Sequence, residues 1–273
     1  LTALAGSLVA TSVFAGEMSV SGSAGITLAN QDKTDKGNGF SMTDSITFAG
    51  SGEMDNGWTV SVSMELDNNA QQAAGNNIDD RSVKIGMGDM GTVTFSGHGG
   101  SSAFSAVDDV MPTAYGEAWD ILGTTTTGGV VLETAVAKLG AIGGTTSDNM
   151  LSYNNSSLVD GFSVTASYLP SNATQVESIA SFAVAYSGVE GLTVGYAVDE
   201  NGLAGTSGID YDTMYAKYAY GPVTIGYQQS SQDADGVTND DEFTAMGVTY
   251  AVSDSLSIGY GVSEYDDDDN TTD

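Results

Sequence analysis

The residues able to do chemistry are supplied very unevenly. The chain of 273 residues carries 36 Asp and Glu, six Lys and Arg, one His and no Cys. Without Cys there is neither a disulfide scaffold nor a thiolate metal site. A single histidine, His98, excludes a multi-His metal centre and leaves any nucleophile–base pair with one candidate imidazole. It sits where the fifth predicted strand ends, and is read as an ordinary polar residue there. No HExxH pair, phosphate-cradling loop or dinucleotide fingerprint occurs, so no catalytic residues, no metal site and no enzyme are predicted. Carboxylate pairs abound, but in so acidic a chain chance supplies them. The runs "DADGVTNDDE" at 233–242 and "DDDD" at 266–269 offer oxygens for weak calcium binding and nothing more specific. The first departs from EF-hand spacing because Gly236 comes too early. No other cofactor is expected. The net charge of -30 argues against nucleic acid, which needs a basic surface. The carboxylates therefore act as charge, shaping a field around a pore or ligand surface.

The elements that position this charge are strands. In "GWTVSVSMELDN", residues 57–68, Trp58, Val60, Val62, Met64 and Leu66 alternate with Thr59, Ser61, Ser63, Glu65 and Asp67. Successive strand side chains project to opposite faces, so the segment is a ribbon with one apolar and one polar side. The pattern recurs at 17–29, 41–54, 80–88, 91–98, 148–154, 161–169, 178–187, 191–199, 210–220, 222–231, 242–252 and 255–265. That makes about thirteen strands. Their connections sort strictly. Tight turns at 55–57, 88–91, 189–191, 220–222 and 253–255 alternate with longer polar segments at 30–40, 68–79, 99–147, 170–177, 200–209 and 232–241. An antiparallel up-and-down meander whose two ends face different environments sorts its loops this way, as outer-membrane barrels do. A strand of twelve residues at about 3.3 Å each, tilted by roughly 40°, rises about 28 Å, close to the ~25 Å apolar band of such barrels. The fold predicted is an all-β transmembrane antiparallel barrel, its apolar faces on lipid and its hydroxyl and acidic faces on lumenal water.

Two further patterns agree. Tyr168, Tyr186, Tyr196, Tyr218, Tyr220, Tyr227, Tyr250 and Tyr260 fall on the apolar faces, several near strand ends, as an interfacial aromatic girdle does. Residues 1–15, "LTALAGSLVATSVFA", are uncharged and end in small residues, the pattern of the tail of a secretory signal. The barrel would then occupy 16–273.

Residues 99–147 do not alternate, and a loop of that length in a compact domain is normally functional. It opens "GGSSAFSAVDDVMPTAYGEAWDILG" after "GTVTFSG", and is followed by "DNMLSYNN" and "DGFSVTASY". With these segments in this order, the chain resembles the Gram-negative general diffusion porins, particularly the alphaproteobacterial type. The resemblance covers roughly residues 1–265. It implies a water-filled outer-membrane channel for small hydrophilic solutes, a homotrimer packed with lipopolysaccharide, and a third external loop folded inward to narrow the pore. The matching acidic positions in that loop are Asp108, Asp109, Glu117 and Asp120. Members usually oppose them with a basic cluster. Here only Arg81 and Lys84 serve, and they have opposite strand parity; Lys84 is the better lumenal candidate and Arg81 falls at the rim. Glu53, Glu65 and Asp67 add lumenal negative charge, so a cation-preferring pore is expected.

Closed single-chain bacterial barrels have an even strand number, and the resemblance implies sixteen. With thirteen present and the final "EYDDDDNTTD" reading as the start of another loop, the sequence is expected to be truncated at both ends. The competing reading is a secreted, acidic, calcium-binding β-rich adhesin, which would bury its apolar faces.

Overall fold

The alternation is explained by the sheet it builds. The computed structural model describes residues 16–30, 38–67, 78–107, 110–114, 126–127, 130–131, 142, 145–171, 178–201, 208–234 and 241–266. Five strands come first: β1 (Glu17–Asn30), β2 (Asn38–Glu53), β3 (Thr59–Asp67), β4 (Ile78–Gly86) and β5 (Thr92–His98). Four short strands lie in the insertion: β6 (Gly100–Ser101), β7 (Thr126–Thr127), β8 (Val130–Val131) and β9 (Thr146–Ser147). Eight more follow: β10 (Met150–Asn155), β11 (Phe162–Leu169), β12 (Ile179–Val189), β13 (Leu192–Asn201), β14 (Ile209–Tyr220), β15 (Val223–Ala234), β16 (Asp241–Ser253) and β17 (Leu256–Asp266).

One antiparallel sheet of thirteen strands takes β1–β5 and β10–β17 in chain order, with β5 paired to β10 across the insertion. Every predicted strand is present, the weakly patterned β10 included, with ends shifted by a few residues. Among the described residues β1 and β17 each pair on one side only. The neck of the insertion is closed by β6 on β9, and within it β7 pairs with β8.

The connections sort as expected. Only two residues join β12 to β13, β14 to β15, and β16 to β17. Gly191 (φ 75°) and Gly221 (φ 56°) supply the positive φ that such tight hairpins require. These hairpins share one end of the sheet, and the long connections share the other.

The two faces differ as the alternation demands. Val62, Val83, Phe95, Phe182, Met214, Ile225, Met246 and Ile258 all lie exposed on the outer face. An apolar surface of that extent is untenable in water and suits hydrocarbon. It also removes the support for an adhesin, which would bury these side chains. On β2–β5 the opposite face carries Thr47, Ser61, Ser63, Ser82, Thr94 and Ser96, paired across the strands.

Candidate pore constriction

The buried residues gather on one part of the inner wall. Phe104, Val107, Met111 and Ile142 of the insertion form a cluster with Ala183, Ala197, Tyr215, Phe243, Ala245 and Tyr265. The last six are inward positions of β12, β13, β14, β16 and β17. These described residues of the insertion therefore lie inside the curve of the sheet, along the wall made by β11–β17.

Strand register orders the contacts into four rows, running from the long-connection end towards the short turns. The first row is Ser167, Ser181, Asp199 and Tyr211. There the backbone N–H groups of Ala103 and Phe104 donate to Ser167 Oγ (3.0 Å) and Ser181 Oγ (2.9 Å). The returning arm docks on the same row, where Thr145 N donates to Asp199 Oδ2 at 2.8 Å. Phe104 seats its ring 5.9 Å from that of Tyr211. The second row is Ala183, Ala197, Thr213, Ser230, Phe243 and Tyr265. Its alanines leave room for the ring of Phe104, which is fully buried.

The third row is Gly195, Tyr215, Gln228, Ala245 and Ser263. Gln228 is wholly buried, and its Nε2 donates to the Val107 carbonyl at 3.1 Å. The fourth row is Thr193, Lys217, Gly226, Gly247 and Gly261. Here the loop meets bare backbone. A Cβ on Gly226 would lie 2.5 Å from Pro112 Cδ, and one on Gly247 would lie 2.7 Å from the Pro112 carbonyl oxygen. A strand glycine forfeits packing and marks a place where another backbone approaches closely. Beside these glycines Lys217 Nζ donates to the Val110 carbonyl at 3.5 Å.

The sequence-predicted residues fall as follows. Asp108, Asp109, Glu117 and Asp120 lie outside the described residues, as do 1–15 and most of the acidic runs at 233–242 and 266–269. Lys84 is exposed and pairs with Ser61 and Thr94 on the lumenal side of β4. Arg81 is exposed near the long-connection end of β4, where its Nη2 donates to the Gly97 carbonyl at 3.2 Å. Glu53 is exposed opposite Thr59, while Glu65 and Asp67 are half-buried opposite Thr47 and Ser45. His98 ends β5. Its Nδ1 bonds the Asp79 carbonyl, and its Nε2 stands 3.9 Å from Asp148 Oδ1 in the turn after β9. Among the described residues no group of three or more His, Asp or Glu is placed to hold a metal.

Tyr168, Tyr196, Tyr218, Tyr227, Tyr250 and Tyr260 are exposed on the outer face, as is Tyr220. Tyr186 is half-buried because its ring packs 4.6 Å from Phe162. Tyr186, Tyr218, Tyr220 and Tyr250 stand near the short-turn ends of their strands, Tyr196, Tyr227 and Tyr260 stand further in, and Tyr168 stands at the opposite end.

Sequence reasoning missed the loop's seat: Asp199, Gln228, Lys217 and the glycines. A signal was present. Val194-Gly195-Tyr196, Ile225-Gly226-Tyr227, Met246-Gly247-Val248 and Ile258-Gly259-Tyr260 each put glycine on the polar face of a strong strand. One such glycine is noise; Gly226 and Gly247, level on the adjacent strands β15 and β16, mark the place kept clear for Pro112.

A sheet of this order, with a long insertion laid along its inner wall, can be tested against known families. A family model described as Gram-negative porin matches residues 1–273. The chain belongs to the Gram-negative porins. Comparison with curated protein sequences found no match. Among solved structures, the porin is similar to Salmonella typhi OmpF in complex with daunomycin (16% identity, TM-score 0.61, covering 91% of this chain and 79% of that one). It is also similar to an anion-selective porin from Comamonas acidovorans (18% identity, TM-score 0.60, 92% and 79%). A third is the loop L8 deletion mutant of Vibrio cholerae OmpT (14% identity, TM-score 0.60, 92% and 83%). At these identities the likeness concerns the fold. The family itself is one of outer-membrane diffusion channels rather than enzymes, which places this porin in the outer membrane of a Gram-negative bacterium.

Proposed function

We propose that this porin passes small hydrophilic solutes and ions through a water-filled lumen narrowed by the 99–147 insertion, and that it prefers cations. The observation that carries the narrowing is the seating of residues 102–107 and 110–112 along β11–β17, which takes up space inside the sheet. Passage needs no chemistry, only a constriction width and a field. The field is read as negative from 36 acidic against six basic residues and from Glu53, Glu65 and Asp67 on the facing strands. In this reading Asp108, Asp109, Glu117 and Asp120 line the constriction opposite Lys84, with Arg81 at the rim, and the tyrosines of β12–β17 anchor the barrel at the short-turn interface. The fold does not set the sign, since one similar structure is of an anion-selective porin. A homotrimer packed with lipopolysaccharide is the assembly proposed, in keeping with a trimer form described for Vibrio cholerae OmpT.

The test is a planar bilayer holding the refolded full-length porin under a potassium chloride gradient. Large stable steps, often in threes, with a cation-favouring reversal potential are expected. The preference should fade near 1 M salt, where screening shortens to about 3 Å. A chloride-favouring potential overturns the charge reading, and an absence of steps overturns the pore.

A further inference from the structure

We infer that the carboxylate of Asp199 holds a monovalent alkali cation, sodium or potassium, in the seam where the returning arm of the insertion docks on the wall. The inference rests on the seating of the insertion, and not on the pore or its selectivity.

The two arms of the insertion meet over the first row of the wall. β6 pairs with β9, and Ser102 N donates to the Thr145 carbonyl at 2.9 Å. Thr145 N in turn donates to Asp199 Oδ2 at 2.8 Å. Asp199 is wholly buried. Its other oxygen, Oδ1, makes no hydrogen bond, and neither does the buried hydroxyl oxygen of Thr145. Two orphan oxygens thus belong to two residues already joined by a bond, so both border one small volume closed to solvent.

A carboxylate only accepts, and burying one without a positive partner is among the costliest arrangements in a protein interior. The neighbours in its row supply none. Ser167, Ser181 and Tyr211 are neutral, and Ser181 Oγ spends its proton on the Val198 carbonyl at 2.9 Å. Lys217, the one cation at the described inward positions of β10–β17, stands three rows away. Among the described residues no Lys, Arg or His pairs with Asp199. A cation from the bath completes the seam, and a chain of net charge -30 draws such ions to itself. Charge selects which. One carboxylate among neutral oxygens matches a single positive charge. Calcium takes about six to eight oxygens, several of them carboxylate, and would leave net positive charge buried. Held here, the ion fastens the crossing of both arms to β13, and the grip on the insertion follows the salt present.

The experiment melts wild type, Asp199→Asn and Thr145→Val, each as full-length refolded porin, in sodium chloride and in N-methylglucamine chloride at equal ionic strength and pH. The organic cation screens charge equally but is too large for the seam. Sodium should raise the wild-type melting temperature by about 2–4 °C over N-methylglucamine. Asp199→Asn keeps an acceptor for Thr145 N and carries no charge, so its melting temperature should be the same in both salts. Thr145→Val removes one ligand oxygen and keeps the N–H bond, so the sodium rise should shrink. An identical wild-type melt in both salts overturns the inference, since water or a proton then satisfies Asp199. A sodium rise that persists in full in Asp199→Asn and Thr145→Val overturns it too, because the ion then acts elsewhere. If bilayer recordings show no channel, the pore reading fails, and the melts still decide this one.

Discussion

The two walls of the sheet are made of the same strands and do different work. On β1–β5 the inward side chains are small hydroxyls with a few charges, and Gly97 is the one buried residue among those described. On β11–β17 the inward side chains include Ala183, Ala197, Thr213, Tyr215, Gln228, Phe243 and Ala245, all buried, and the insertion lies over them. The outer faces of both walls are alike, exposed and apolar. A strand in this molecule is therefore specified twice. Its outer parity answers to lipid everywhere, and its inner parity answers either to water or to the loop. The wall under the loop needs what a protein core needs: matched volumes, satisfied polar groups and room for a backbone.

The comparison can be broken most forcefully at Phe104. Truncation to Ala removes a fully buried ring, a change that costs about 3–5 kcal/mol in a well-packed site. Phe104→Ala should loosen the loop from its wall, seen as larger, noisier single-channel steps and a lower melting temperature. Substitution in the glycine row comes next. Gly226→Val places a side chain where Pro112 already lies, and overpacking of this kind costs roughly 1–3 kcal/mol. The strand should still form, because the new residue favours it, while conductance rises as the tip lifts. The matched change on the other wall, Ser63→Val on β3, should leave both melting and conductance nearly unaltered, within about 0.5 kcal/mol. Conductance that responds equally at both positions would erase the distinction between walls. On the loop-bearing wall a milder effect than at Phe104 is expected at Gln228. Gln228→Leu keeps the volume but leaves the Val107 carbonyl without its donor, at a cost of about 1–3 kcal/mol shared between loop and wall. A thermal melt with a small downward shift, and channel noise between those of wild type and Phe104→Ala, is the result expected.

Much of this architecture was legible because lipid imposes a simple rule. Met64 and Val62 on one side and Ser63 and Ser61 on the other suffice to assign faces, and "VEG", "YGP" and "SDS" suffice to place turns. Even β10 emerged, since Tyr153 and Leu151 sit opposite parity positions that their neighbours confirm by pairing. The seat of the loop was not legible, for a physical reason. Whether an inward Ser or Gly faces water or a second backbone depends on which strands register together, and register is a property of pairs. Gly226, Gly247 and Gly261 form one row only once β15, β16 and β17 are aligned. Asp199 and Lys217 likewise read as ordinary lumenal charges until Thr145 and Val110 are set against them.

The glycine row has one more consequence. The inner sides of Gly226 and Gly247 are covered by Met111 and Pro112. Their outer sides back a shallow groove of about 550 Å³ between Tyr218, Ile225, Tyr227, Met246, Val248 and Tyr260, where hydrocarbon belongs. At Gly226 and Gly247 no side chain stands between Pro112 and that groove, and the wall is one peptide layer thick. The amides of Gly226 and Gly247 should therefore take up deuterium only when loop or ladder opens, and later than those under the hydroxyl face of β3. A thin place in the wall is in this way expected to be a slow one.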